Sequence, residues 1–318
     1  MTLTRMVCLL SLATASGCCH LRQSSRPRPP QPVPAEVAAL VAYTKPNPLV
    51  CTESNMLTDV RFSIHRIGMT AVADRTNRIL SLDYYRPVGT NPFPIIVVLP
   101  IIGGGYPLEK MFCAYFARHG MAALLVRRES LKRTLDRLEE INDALLYSAI
   151  DARQAIDWAE KRPELDASRI GVFGISMGGI RAAFLTPLDA RIRASVVGLA
   201  GGDLPYIITY STEPGLTRRR NGYMKKGHLT ECELVQELRK TINCDPLTTA
   251  PCVDPAKVLM VLATCDTSVP TKKGLELRRA MGKPETIFLP TGHYSAVLFI
   301  PYLESACLRF FKEKFAGG

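Results

Sequence analysis

Two hydrophobic patterns recur along the chain from about residue 60 onward. In the first, apolar and polar positions alternate, as in strands with one solvent-exposed face; it occupies residues 60–67 and 79–85. In the second, almost unbroken apolar runs predict strands that are buried on both faces. These runs lie at residues 95–99, 121–126, 170–174, 192–199 and 257–263, with a last short strand at 285–289.

Segments with helical periodicity separate the buried strands. Residues 144–161 are one such segment, and Pro163 would end that helix. Further helices are predicted near residues 108–119, from Gly178 onward and at 294–314. Strands that alternate with helices favour a parallel sheet with right-handed crossovers. We therefore expect an α/β fold in which helices flank a mostly parallel central sheet.

One stretch, residues 204–255, interrupts this alternation. It contains no predicted strand, but Thr230 and Glu233 form a capping-box pair before an amphipathic helix that ends near Ile242. An insertion after the carboxyl end of a strand covers the place where open α/β sheets bind ligands. We interpret this stretch as a small, mostly helical cap; the alternative is a surface excursion remote from any site.

The first residues have the composition of an export signal. A short segment with one positive charge precedes the apolar or small residues 6–16, which suit a signal-peptide core but are too short to span a bilayer. Residues 15–18 (ASGC) resemble a bacterial lipobox, which predicts a signal peptide at 1–17 and a lipid on Cys18. The alternative is cleavage after the small residues 13–15, without a lipid.

The segment after this signal is polar and rich in proline. Residues 18–35 are therefore predicted to form a stiff, extended tether, and residues 36–318 the globular domain. A lipid on Cys18 would anchor this tether in a membrane. The expected location is a bacterial cell envelope, with a secreted or periplasmic soluble protein as the alternative.

The formal net charge of +11 does not by itself indicate a nucleic-acid partner. The basic residues are spread along the whole chain, and the sequence has neither zinc-finger spacing nor an aromatic–basic RNA-binding signature, so we expect no nucleic-acid partner. Cysteine and histidine spacings typical of metal sites are also absent from the sequence. The basic residues 218–220 and 225–226 of the cap are interpreted as a solvated loop, with an anionic substrate or membrane as the alternative.

Residues 174–178 (GISMG) fit the pattern G-x-S-x-G, and Gly179 follows them. The pattern alone is weak, but here it directly follows a buried strand and directly precedes a helix, which is the setting that a nucleophilic serine requires. A serine in such a tight turn has a strained backbone and an exposed hydroxyl. Ser176 is therefore the predicted nucleophile.

A serine hydroxyl needs a base, and the chain contains five histidines. His293 is the one in a loop just after the last predicted strand, where the base of this arrangement belongs. Asp266 follows the preceding strand and would orient the imidazole, which gives the chain order Ser, Asp, His. Asp203, after an earlier strand, is the rival acid.

Acyl transfer also needs donors for an oxyanion. The backbone N–H of Met177, directly after the serine, is the first predicted donor. The glycine-rich loop after the strand at 95–99 is expected to supply the second, from Ile102 or else from Gly103. The alternative for this loop is a flexible turn; a phosphate cradle is not expected, because the loop lacks the spacing of a nucleotide-binding motif.

These motifs together resemble a known superfamily. From about residue 60 to 315 the chain resembles the α/β-hydrolases, and looks closest to their dienelactone-hydrolase and prolyl-oligopeptidase-like branches. Pro100 and Ile101 stand where many relatives have His-Gly in the oxyanion loop. The resemblance rests on D-x-R-x-A-I-D at 151–157, R-I-G-x-x-G-x-S-x-G-G at 169–179, D-x-x-V-P at 266–270 and G-H-Y at 292–294.

The resemblance implies a serine hydrolase that acts on carboxylic esters through a Ser176–His293–Asp266 acyl-enzyme mechanism, without a metal or an organic cofactor. The substrate would be a small-molecule ester or another acyl compound. A serine instead of the cysteine typical of dienelactone hydrolases argues against that particular activity. The alternatives are a peptidase or thioesterase with the same triad, and a catalytically silent α/β-hydrolase that serves as a binding module.

Overall fold

The computed structural model describes residues 19–21, 29–73, 78–90, 92–102, 105–127 and 138–316. Residues 1–17 and Cys18 lie outside these ranges, so the signal peptide and the lipid site stay predictions. Within the described ranges, no helix is both long enough and apolar enough to cross a membrane.

One sheet runs through the domain. Its strands are β1 (Cys19–Leu21), β2 (Cys51–Thr58), β3 (Phe62–Thr70), β4 (Ile79–Pro87), β5 (Phe93–Leu99), β6 (Ala122–Arg127), β7 (Leu165–Ile175), β8 (Ile192–Gly198), β9 (Val258–Ala263) and β10 (Glu285–Leu289). Their spatial order is β1-β10-β9-β8-β7-β5-β6-β4-β3-β2. The strands from β10 to β6 are parallel, whereas the strands beyond them at both ends are antiparallel to their neighbours. The predicted mostly parallel sheet is thus confirmed.

Helices cover both faces of this sheet. They are α1 (Ala35–Leu40), α2 (Pro107–Arg118), α3 (Leu138–Ala159), α4 (Met177–Leu185), α5 (Leu204–Tyr210), α6 (Pro214–Gly227), α7 (Glu231–Thr241), α8 (Pro246–Thr249), α9 (Thr271–Ala280) and α10 (Ile300–Ala316). Helices α3 and α4 belong to one apolar core, which contains Trp158, while α2 and α10 belong to a second core around Phe116 and Phe311. Parallel strands need cover on both faces because they are apolar throughout. The domain therefore has three layers.

The predicted elements are present, with ends shifted by a few residues. The strands expected at 60–67 and 79–85 are β3 and β4, and they pair antiparallel with each other. The outer strand β2 has no counterpart in the hydrophobic pattern. All its residues are exposed, so none of its positions has to be apolar and no period-two alternation arises.

Parts of the segment predicted to be an extended tether contact the domain. Strand β1 pairs with the edge strand β10, and the His20 imidazole lies 2.6 Å from the Glu285 carboxylate. Farther along, the N–H of Gln31 donates to the carbonyl of Pro251 at 3.0 Å. An open sheet edge has unpaired N–H and C=O groups, so a polar segment of the same chain is a favourable partner. Residues 19–21 and Gln31 of the predicted tether therefore lie against the domain.

Helices α5 to α8 lie between β8 and β9 and form the helical insertion expected over 204–255. The predicted capping box is present, because Thr230 Oγ1 accepts from the Glu233 N–H and Glu233 Oε2 accepts from the Thr230 N–H. Helix α7 buries Leu234 and Leu238 and contacts α3 and α5. One amphipathic face therefore attaches the cap to the core of the domain.

Candidate active site

Ser176 occupies a sharp turn between β7 and α4. Its φ and ψ angles are +56° and −123°. This combination is energetically unfavourable for any residue that has a side chain. A Cβ on Gly174 would lie 2.1 Å from the carbonyl oxygen of Gly178, and a Cβ on Gly178 would lie 2.2 Å from that of Leu99. The turn therefore requires glycine on both sides of the serine. The strained turn that the G-x-S-x-G pattern predicts is present.

Three of the predicted residues form one hydrogen-bonded chain. Ser176 Oγ donates to His293 Nε2 at 2.9 Å, and His293 Nδ1 donates to Asp266 Oδ2 at 2.6 Å. The side chains of His293 and Asp266 are only 9% and 3% exposed, so water screens this interaction little. Such a chain can pass a proton from the hydroxyl to the imidazole while the carboxylate stabilises the imidazolium.

Asp266 is held in place by its own loop. Its Oδ1 accepts from the N–H groups of Ser268 and Val269 at 2.9 and 2.8 Å, which leaves Oδ2 for the imidazole. The rival Asp203 instead forms an ion pair with Lys273, with Oδ2 and Nζ 2.8 Å apart. Asp266, and not Asp203, is therefore the acid in contact with the histidine.

The loop predicted to supply the second oxyanion donor is anchored from two helices. On one side, Glu109 of α2 accepts the N–H of Ile101 at 2.7 Å through Oε1. On the other side, Nη1 of Arg181 in α4 donates to the carbonyl of Pro100 at 3.3 Å. Both anchoring side chains are buried. Glu109 had no signal in the sequence, because an acidic residue in the first turn of a helix is common.

The predicted oxyanion donors lie on both sides of the serine. Met177 is the first residue of α4, so its N–H belongs to the helix N-terminus, where N–H groups lack partners within the helix. Ile102 lines the same cavity as Ser176. Gly103 lies outside the described residues. The roles of these donors stay predictions.

A cavity of about 380 Å³ opens beside Ser176 and His293. This volume lies at the small end of the range for ligand sites.

Glu213 is the cap residue that lines this cavity, so the cap reaches the site at its first turns and is not remote from it. Tyr294 lines the same cavity, and burial followed by the negative charge of Glu213 raises the pKa of Tyr294. The other lining residues are apolar, apart from the serine and the histidine: Ile101, Ile102, Leu108, Phe112, Phe173, Ile175, Val196, Gly198, Leu199, Val261, Ala296, Val297, Ile300, Leu303 and Cys307.

The basic residues at 218–220 and 225–226 lie on α6. Residues 218, 219, 225 and 226 are exposed, and none of them lines the cavity. Arg220 instead donates to the carbonyls of Thr209 and Ser211 at 2.6 and 3.0 Å. In the part of the chain that the structure describes, no group of three or more histidine, cysteine or acidic side chains is arranged to hold a metal ion.

Comparison with known sequences gives one partial relative. No family model matches the chain. It is 30% identical over 140 residues to a probable 2-oxo-3-(5-oxofuran-2-ylidene)propanoate lactonase from a Bradyrhizobium species. The match covers 41% of this chain and 55% of the lactonase, so the chain spans about half the length of the curated relative that it matches.

Comparison with solved structures covers far more of the chain. An acetyl xylan esterase from a Paenibacillus species has a TM-score of 0.65 at 19% identity, over 87% of this chain and 92% of that one. Acetyl xylan esterase 1 from a Thermoanaerobacterium species has a TM-score of 0.62 at 16% identity, over 89% and 95%. At such low identity the likeness is one of fold. With its mostly parallel sheet, its flanking helices and these structural neighbours, the chain has the α/β-hydrolase fold.

Proposed function

We propose that this protein is a serine hydrolase that cleaves carboxylic esters through an acyl-enzyme intermediate. The observation that carries the proposal is the hydrogen-bonded chain from Asp266 through His293 to Ser176, which ends at an apolar cavity. The names of the similar proteins, a lactonase and acetyl xylan esterases, support an ester as the substrate. A lactone is a cyclic ester, so both names describe the same bond.

In the first half-reaction, Ser176 Oγ attacks the ester carbonyl carbon while His293 Nε2 accepts its proton. The imidazolium that forms is stabilised by the Asp266 carboxylate, 2.6 Å from Nδ1. When the tetrahedral intermediate collapses, the bond to the leaving oxygen breaks and His293 returns the proton to that oxygen. The alcohol leaves, and the acyl group stays on Ser176.

In the second half-reaction, water replaces the alcohol. His293 Nε2 accepts a proton from the water as its oxygen attacks the acyl carbon, and then protonates Ser176 Oγ as the acid leaves. The protein ends in the state in which it began, and the net reaction consumes one water molecule.

The negative charge on the carbonyl oxygen develops next to the N-terminus of α4. The N–H of Met177 is the first donor in this proposal, and the N–H of Ile102 is the second. Ile102 suits this role because the N–H of its neighbour Ile101 is already bound to Glu109, which holds the loop beside the cavity.

Hydrolysis of p-nitrophenyl esters by the domain and by its Ser176→Ala variant tests the proposal. We expect the variant to lose kcat by about six orders of magnitude, because the nucleophile is removed. Ser168→Ala, a change at a solvent-exposed surface site on β7, is the matched control and should keep full activity. A fluorophosphonate probe should label Ser176 and nothing in the variant. Equal turnover by the Ser176 variant, or no turnover and no label in the unchanged protein, would contradict the proposal and favour a binding module.

A further inference from the structure

The cavity beside Ser176 continues into the layer between the sheet and two helices. Phe173, Val196 and Val261 project into it from β7, β8 and β9. On the opposite side it is lined by Phe112 of α2 and by residues of α10. All four named side chains are at most 3% exposed. The cavity therefore starts at the serine hydroxyl, where the exposed Tyr294 and Val297 also line it, and is bordered by these buried apolar side chains on its inner side.

The pocket is deep enough for more than an acetyl group. Ile300, Leu303 and Cys307 all line it and follow one another at helical spacing along one side of α10. Seven residues of helix span about 10 Å, so the lined surface extends over about that length. The Cys307 thiol does not make this surface reactive, because burial raises its pKa to about 12.

The described residues that line the pocket offer an anionic acyl chain no lysine or arginine. Among the described residues that line it, Glu213 carries the single carboxylate, and lysine and arginine are absent. Glu213 is half-buried and lies with the exposed Tyr294 at the entrance. A carboxylate on the acyl chain would have to pass this negative charge and then lose its water shell without a partner, which is costly.

We propose that the acyl part of the substrate is an uncharged apolar chain of several carbons, seated between the sheet and α2 and α10, and that Glu213 disfavours acyl groups with a negative charge. This inference rests on the proposed ester hydrolysis, since it names the acyl group that Ser176 would receive. The proposed specificity differs from that of an enzyme for acetate esters, whose acyl group would leave the inner pocket empty. It also differs from that of an enzyme for dicarboxylic half-esters.

Three p-nitrophenyl esters with the same leaving group test the proposal: the acetate, the hexanoate and the adipate half-ester. The last two have acyl chains of equal length and differ in the terminal methyl or carboxylate. We expect kcat/KM for the hexanoate to exceed that for the acetate by at least about tenfold, because buried methylene groups contribute apolar contact. It should exceed that for the adipate half-ester by about 100-fold or more.

Two leucines of α10 provide a matched pair of variants. Leu303 lines the pocket and Leu308 does not, yet both are buried, at 5% and 7% exposure. Leu303→Ala should move the preferred chain length from hexanoate toward decanoate, because the removed side chain lengthens the pocket. Leu308→Ala loses the same atoms from the same helix and should leave the preference at its original length.

Glu213→Gln tests the charge at the entrance while it keeps the size of the side chain and an oxygen that can cap α6. The ratio of kcat/KM for the adipate half-ester to that for the hexanoate should rise about threefold at low salt, and less at high salt. Glu231→Gln, an exposed carboxylate at the start of α7, should leave that ratio unchanged.

The failures of the two proposals are distinguishable. If no ester is hydrolysed and the fluorophosphonate does not label Ser176, the ester hydrolase itself is wrong. If Ser176 is labelled and esters are hydrolysed, but the acetate or the adipate half-ester is preferred, the apolar acyl pocket is wrong while the proposed reaction stands. A shift in chain-length preference that is equal in the Leu303 and Leu308 variants would also overturn it.

Discussion

Ser176 has a backbone conformation that its own side chain disfavours, and its neighbours make that conformation possible. Gly174 and Gly178 leave the space that the turn needs, and the N–H of Ser176 is bound by the carbonyl of Gly198 at 2.8 Å. All of the glycines in the motif lie within a few residues of the serine. For this reason the sequence pattern was sufficient to predict the turn, whereas contacts between distant residues needed the folded chain.

At the same scale, one substitution in each of the two rival aspartates tests which of them is the catalytic acid. Asp266→Asn should lower kcat by about 10³–10⁴-fold, because an amide at this position no longer favours the required imidazole tautomer or stabilises the imidazolium. Asp203→Asn is the matched control, since this carboxylate is bound to Lys273 and not to the histidine. Ester hydrolysis at saturating substrate measures both. A loss of kcat in the Asp203 variant as large as in the Asp266 variant would contradict the assignment.

Glu109 is expected to act as a positioning residue for the oxyanion loop. Its side chain is 2% exposed, and of its two oxygens only Oε1 has a hydrogen-bond partner, the Ile101 N–H, in the part of the chain that the structure describes. A buried carboxylate with one unpartnered oxygen is costly, so stability alone does not account for it. Glu109→Ala should therefore lower kcat by about tenfold through misplacement of the loop, with a smaller change in KM.

Glu109→Gln gives the control for this prediction. Its amide oxygen can still accept the Ile101 N–H, so steady-state kinetics should show most of kcat restored relative to the alanine variant. If the glutamine and alanine variants are equally slow, the hydrogen bond to the loop is not what Glu109 contributes.

At the scale of elements, ion pairs to the buried carboxylate of Asp189 join helix α3 to the start of β8. Asp189, just before β8, accepts from Arg191 at 2.6 Å and from Arg153 of α3 at 3.3 Å. Burial by itself raises the pKa of the Asp189 carboxyl, but the hydrogen bonds and the positive charge of Arg191 outweigh it and hold the pKa below its usual range. Deprotonated Asp189 therefore stabilises the folded state.

This pKa shift predicts how stability depends on pH. A carboxyl whose pKa is lowered by folding contributes fully above its unfolded pKa of about 3.9, and the contribution is lost as pH falls through the native pKa. Asp189→Asn should lower the free energy of unfolding at neutral pH by roughly 3 kcal/mol, and this difference should shrink below about pH 4. Urea denaturation at several pH values measures it.

Asp166→Asn is the comparison for this prediction, because Asp166 has a lowered pKa too but pairs with Arg169 at the surface. It should cost less than Asp189→Asn, since water screens exposed pairs. A penalty for Asp189→Asn that stays constant from neutral to acidic pH would contradict the linkage.

Among the elements, the buried ones were predicted from the sequence and the exposed ones were not. The central strands are buried on both faces and were predicted from their apolar runs. Strand β2 is exposed throughout and β1 is a three-residue pairing with β10, so neither imposes a hydrophobic pattern. The amphipathic helix α7 lies between these cases: its capping box and its apolar face were both visible in the sequence.

At the scale of the whole molecule, the cap and the central sheet share one core. Leu234 and Leu238 of α7 belong to the same apolar cluster as Trp158 of α3, the one tryptophan of the chain. The fluorescence of Trp158 therefore reports the unfolding of the domain, whereas the cap contains no tryptophan of its own. A cap that unfolded independently would leave this signal unchanged.

Leu238→Ala should lower the free energy of unfolding reported by Trp158 by about 2–5 kcal/mol, because the side chain is fully buried and its loss leaves a cavity. Leu229→Ala, a half-buried leucine in the turn before α7, is the control and should cost much less. If the Leu238 variant keeps the original Trp158 transition while its helical content melts earlier, the cap and the domain do not unfold together.

The sequence by itself determined the α/β order of elements, the serine turn and the chain order of the three predicted residues. These features depend on local patterns, because strand burial, turn strain and helix capping are set within a few neighbouring residues. Only the tertiary structure decided that Asp266 and not Asp203 meets His293, that Glu109 binds the loop after β5, and that an apolar pocket lined by Glu213 begins at Ser176. Each of these is a contact between residues far apart in the chain, and such contacts exist only once the layers have packed.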